Sequence, residues 1–120
     1  GVAIGAHAAH GLEPMLLEQG VVAEQVAKRL SQCDVAVRYH MLHSLALLSL
    51  GLLADELGSK RRALAAAFFL LGIALFCGGL YSMVYLGHMG YWAIVPSGGL
   101  CFILGWLFTA SLAWTPRSEI

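Results

Sequence analysis

The feature that most constrains this chain is where its charges are missing. Residues 39–54 and 63–116 contain no Asp, Glu, Lys or Arg. The seven cationic and seven acidic residues fall in three short zones: 13–38, 55–62, and the tail at Arg117 and Glu119. A formal charge near the centre of a bilayer costs several kcal/mol, so charge-free gaps of this length mark membrane spans. Composition points the same way. The chain is 59% hydrophobic and 12% charged, against roughly 25% charged in soluble domains, and its mean hydropathy is +0.77. A single domain of 120 residues cannot bury that much apolar surface in water. Net charge is zero, so no basic face for nucleic acid is expected.

A hydrocarbon core of about 30 Å requires about 20 helical residues. Spans are therefore expected at 35–54, 63–87 and 96–115, the last opened by Pro96 in a helix first turn, where its missing N–H does no harm. Gly87, His88, Met89 and Gly90 form the intervening turn. Residues 1–12, GVAIGAHAAHGL, are apolar and helix-compatible but make only about 18 Å of helix. They read as the end of a first span truncated here. Residues 14–33 differ. Val22, Val26, Leu30 and Cys33 fall at helical spacing, with Glu24, Lys28 and Arg29 off that face, as in an external amphipathic helix. Gly20 breaks this connector in two. Lys60, Arg61, Arg62 and Arg117 place the 55–62 loop and the C-terminus on the cytoplasmic or matrix side, with 14–33 outside.

Small residues recur every fourth position: Gly1, Gly5 and Ala9; Ala74, Gly78 and Ser82; and Ser97, Cys101, Gly105, Thr109 and Ala113. Such stripes let helix backbones approach closely. They serve packing within the bundle, or a seam to a homo-oligomer or a larger membrane complex. Cys33, Cys77 and Cys101 have no CxxC spacing, and in spans a free Cys packs as a small apolar residue. Tyr39, Tyr91, Trp92 and Trp114 suit interfacial belts. Trp106 falls near the midplane of the last span, where its indole N–H needs an acceptor, expected to be a carbonyl or hydroxyl of a neighbouring span.

The histidines carry the most chemistry. His7 and His10 are three residues apart, as are His40 and His43, so each pair shares a helix face. His43 lies roughly 12 Å into its span and must find a partner there or lose several kcal/mol. Arg38 and Tyr39 stand at the same end, and Tyr81 approaches it from the next span. A cluster of His10, Arg38, Tyr39, His43 and Tyr81 at the outer leaflet is therefore expected, with His10 and His43 acting as one unit. Such a cluster serves as a hydrogen-bond knot between spans, as a metal or haem site, or as a site for a quinone or lipid headgroup. No carboxylate or Cys accompanies the four His at metal-ligand spacing. There is no GxSxG, phosphate loop or HExxH and no carboxylate pair within a span, so no catalytic residue and no cofactor is expected.

Four stretches in register carry a resemblance: GAHAAHGL (5–12), VRYHMLHSLALL (37–48), LFCGGLY (75–81) and VPSGGLCFILGW (95–106). Together they resemble the small four-span membrane proteins of the domain-of-unknown-function 423 family. That family includes YgdD-type bacterial inner-membrane proteins and mitochondrial transmembrane protein 256. His10, Gly11 and Leu12, then Arg38, Tyr39 and His43, then Phe76, Gly78, Leu80 and Tyr81, and finally Pro96, Gly98, Gly99, Phe102, Gly105 and Trp106 match its pattern. His40, Cys77, Gly79 and Val95 depart from it, and the 14–33 insertion is longer than usual. The resemblance implies an all-α four-helix transmembrane bundle in a bacterial inner or mitochondrial membrane, with packing glycines at Gly78, Gly98, Gly99 and Gly105. It implies no activity. The chain thus reads as one transmembrane domain, an accessory or structural subunit acting through helix–helix and lipid contacts. The alternative is a binding protein for a lipid, quinone or haem at the His/Arg/Tyr cluster.

Overall fold

The computed structural model describes residues 1–53, 59–87 and 93–114; the tail charges and the loop positions 54–58 and 88–92 lie outside them. Among the described residues every regular element is helical: α1 (Val2–His10), α2 (Leu12–Glu18), α3 (Ala23–Leu52), α4 (Ser59–Gly72), a π-helical turn (Ile73–Cys77), α5 (Gly78–Leu86) and α6 (Ile94–Leu112). The π turn joins α4 and α5 into one continuous rod. Three helices are long and apolar enough to cross a membrane: Ala23–Leu52, Lys60–Leu86 and Ile94–Leu112. This is an all-α integral membrane protein.

The charge gaps locate the spans well and the helix ends less well. α3 begins at Ala23 and passes without a break through position 35, where charge alone places the start of the span. No Gly or Pro occurs between Val21 and Leu50, so nothing interrupts the helix, and the second half of the amphipathic connector is its first part. Thirty residues make about 45 Å of helix, longer than the hydrocarbon core. The break at Gly20 is real. Its φ of +77° is a left-handed conformation that Gly adopts without Cβ strain, and it turns the chain from α2 into α3. Pro96 lies in the first turn of α6, and Gly87, at φ +68°, ends α5.

The rod α4–α5 is central. Its first half packs along α6, its second half along α3, and α1–α2 runs antiparallel to α3, with Gly1 and Gly5 against Met41 and Val37. One apolar cluster joins Leu50, Ala65, Phe69, Cys77, Phe102 and Leu112. The other joins Leu12, Leu16, Val26, Cys33 and Val84. Glycines allow the close approaches. A methyl placed on Gly98 would collide with the Phe76 backbone, one on Gly105 would come within 2.6 Å of the Phe69 ring, and one on Gly72 within 2.5 Å of Phe102. Gly99 is looser, 3.9 Å from the Phe76 ring. Gly1 and Gly5 face Met41 and Val37 of α3, while Ala9 is exposed.

Two stripe expectations need correction. Ala74 and Gly78 are exposed, and a methyl on Gly78 meets nothing closer than its own helix's Ile73 carbonyl at 4.0 Å. Gly79 is the packed residue, 2.8 Å from Val95 by the same test. The reason is the π turn. One extra residue per turn shifts the buried face, from Ala65, Phe69 and Gly72 to Cys77, Leu80 and Val84, so a uniform four-residue count across it picks the wrong glycine. In α6 the buried positions are Gly98, Phe102, Gly105 and Leu112. The expected stripe shares Gly105 with this face, while Ser97 and Ala113 are exposed.

Candidate functional site

The centre of the site is His43, 1% exposed and the one buried polar side chain among the described residues. Its Nδ1 lies 2.7 Å from the Tyr39 carbonyl, one turn back on α3. Its Nε2 accepts the Trp106 indole N–H from α6 at 3.2 Å. A carbonyl can only accept and an indole N–H can only donate. The proton is therefore on Nδ1, the lone pair on Nε2, and both nitrogens of a neutral ring are satisfied. The ring stacks on Phe102, with centroids 3.6 Å apart and planes 12° apart. Phe69 and Trp106 meet it at steeper angles.

α3 and α6 do not touch through their backbones; these large side chains bridge them. Tyr39 completes the aromatic group, its ring 4.7 Å from that of Phe76. Between the two helices lies a groove of about 590 Å³. Tyr39, Leu42, His43, Phe76, Leu100 and Trp106 are among its walls, and Leu42, Leu100 and Trp106 are exposed along it.

Two further pairs join the α1/α3 side to α5. His40 Nδ1 and Tyr81 Oη are hydrogen-bonded at 3.2 Å, and His7 Nδ1 and Tyr85 Oη at 2.9 Å. Tyr81 and Tyr85 are one helical turn apart, so α5 presents both hydroxyls on the face that α1 and α3 cover.

The expected cluster is thus divided. Tyr39 and His43 come together, but Tyr81 serves His40 in a separate pair. Arg38 is exposed and pairs with Asp34 of the same helix at 3.0 Å, an i,i+4 surface contact of small energetic weight. His10 is exposed and bonds to no described residue. Its expected coupling to His43 does not occur, because α1 turns His7 toward α5 and leaves His10 outside. Trp106 finds its acceptor on a neighbouring span as expected, but the acceptor is an imidazole nitrogen. Tyr85 and Phe102 are the partners the spacing argument missed; the Tyr81/Tyr85 and Phe102/Trp106 pairs, each four apart, were the available signal. Cys33, Cys77 and Cys101 are free thiols. Among the described residues no three His, Cys, Asp or Glu side chains converge as a metal-binding group.

Long apolar helices, packing glycines and internally paired histidines define a polytopic helical membrane protein. Its kinship is specific. The family described as "Protein of unknown function (DUF423)" matches residues 4–99, and the chain belongs to it. A UPF0382 membrane protein of Haemophilus influenzae is 37% identical over 98% of this chain and 86% of its own length. The Bacillus subtilis UPF0382 membrane protein YwdK is 36% identical, over 88% of this chain and 80% of its own. The Escherichia coli UPF0382 inner membrane protein YgdD is 33% identical, over 88% and 73%. No solved structure matches the chain.

Proposed function

We propose that this protein is a non-catalytic accessory or structural subunit of its membrane, acting through helix–helix and lipid contacts. The observation that supports this is how the inward histidines are engaged. His43 uses both ring nitrogens on Tyr39 and Trp106, and His40 and His7 each bond a tyrosine of α5. These groups hold helices to one another. The test is purification in mild detergent with stoichiometry. A partner, or a defined homo-oligomer, is expected to travel with the chain; a bare monomer carrying neither protein nor lipid would overturn the reading.

The second reading, a binding site for a lipid or quinone, is favoured by the groove beside Tyr39 and His43. A flat ring or an acyl chain fits its aromatic wall. Haem is the weaker occupant, because axial ligation would require His43 Nε2, which Trp106 holds. An absorption spectrum of the purified protein, with lipid and quinone mass spectrometry, separates these cases. A retained quinone absent from His43→Ala would favour the second reading over the first.

A further inference from the structure

At the opposite end of the bundle from the His–Tyr pairs, a second groove of about 350 Å³ runs between α4 and α6. That volume falls within the range of small-molecule sites, about 300–1,000 Å³. Leu104, Leu107 and Phe108 form its walls, and Arg61 and Ser111 close one end. Arg61 is held there by geometry: its Nη1 donates to the Ser111 carbonyl at 3.1 Å, at the C-terminal end of α6, where the Trp114 N–H donates to the same oxygen at 3.3 Å. The other guanidinium donors bond to no described residue. Lys60 precedes it, also exposed, and among the described residues neither cation meets a carboxylate; the one ion pair is Asp34–Arg38. α4 has no acidic residue in its first turn, so both cations sit at the positive end of a helix dipole that disfavours them.

We propose that this groove binds an anionic phospholipid, with one acyl chain along Leu104, Leu107 and Phe108 and the phosphate on Arg61 and Lys60. The charge at the mouth and the apolar wall below it match the two parts of one molecule. A planar guanidinium grips phosphate through paired N–H donors. Arg61 and Lys60 lie at the end of a span, where headgroups begin, and Leu107, 61% exposed, faces the acyl region. A zwitterionic lipid would bring its own cation to the same place and lose the advantage. The proposal rests on the lipid-contact part of the proposed role and adds a lipid class and a site.

The test is native mass spectrometry of the purified full chain titrated with phosphatidylglycerol or with phosphatidylcholine of the same acyl chains. Phosphatidylglycerol is expected to bind more tightly. Arg61→Gln should weaken it about fivefold, the effect of removing one interfacial cation; Arg61→Lys should fall between. Lys28→Gln, at the other end of the molecule, should leave it unchanged, and the helical circular dichroism of each variant verifies folding. Equal binding of the two lipids, or an Arg61→Gln protein that is folded and binds phosphatidylglycerol as before, would overturn the site. So would a dimer that excludes lipid from this groove, since a second copy would then be its occupant. A partner still co-purifying after any of those results would leave the accessory role standing.

Discussion

His43 and Trp106 satisfy each other across the gap between α3 and α6, and the pair can be tested one atom at a time. Trp106→Phe keeps an aromatic ring and removes the N–H, leaving Nε2 unpaired in a site 1% exposed. The expected loss is about 1–3 kcal/mol, seen as a lower unfolding temperature in detergent. His10→Ala, at an exposed ring, should change stability by no more than about 0.5 kcal/mol. A double-mutant cycle of His43→Ala with Trp106→Phe should show coupling of about 0.5–3 kcal/mol, and one of His43→Ala with His10→Ala almost none. The need of His43 for a partner was legible in the sequence, because a polar ring deep in a charge-free span must be paired. Its partner was not. Trp106 lies 63 positions away, and the choice between His7 and His10 depends on where α5 sits, which no local periodicity encodes.

Among the helices, glycine position matters more than glycine number. Gly98 packs against backbone atoms of Phe76, which cannot move aside, whereas Gly105 packs against the Phe69 ring. Gly98→Ala is therefore expected to cost about 1–3 kcal/mol as overpacking, and more than Gly105→Ala. Gly105→Leu should separate α4 from α6 and lower the melting temperature by several degrees, with Leu107→Ala, on the lipid side, milder. Gly78→Ala should be stabilising by about 0.5–1 kcal/mol, since the position is open and Ala favours helix. Thermal melts of these variants rank them. The close approaches at Gly5 and Gly105 and a helix first turn containing Pro96 could be read from spacing, as could the break at Gly20. The π turn could not, because IALFC carries no residue that announces it, and every face counted across it is displaced. Deleting Ala74 should return that turn to α-helix and leave α5 facing the same way, because the wide turn is what absorbs the extra residue. Tyr81 and Tyr85 should then keep His40 and His7, and melts should show the fold retained; a loss of both pairs together would mean that α5 had turned.

At the scale of the whole molecule, the charge gaps carried the architecture, since the bilayer excludes charge wherever the chain crosses it. Orientation is the prediction at this scale. With the native cysteines replaced, a cysteine at Glu24 should label from outside and one at Ser59 should not, given Lys60, Arg61 and Arg62 beside it; the reverse pattern would invert the protein. The row of helices has Cα extents of 65 × 27 × 15 Å. The Cα atoms of a single helix span about 4.6 Å across its axis, and packed helices lie about 8–10 Å apart, so the thin dimension holds at most two helices in contact. Among the described residues the row presents two broad faces and encloses no lumen. A water-filled path for an ion or solute needs walls held apart on every side, and helices packed in contact do not supply them. Permeation would require further helices or further copies closing around an axis, so this chain at protein-to-lipid ratios too low for association should give the conductance of the bare bilayer.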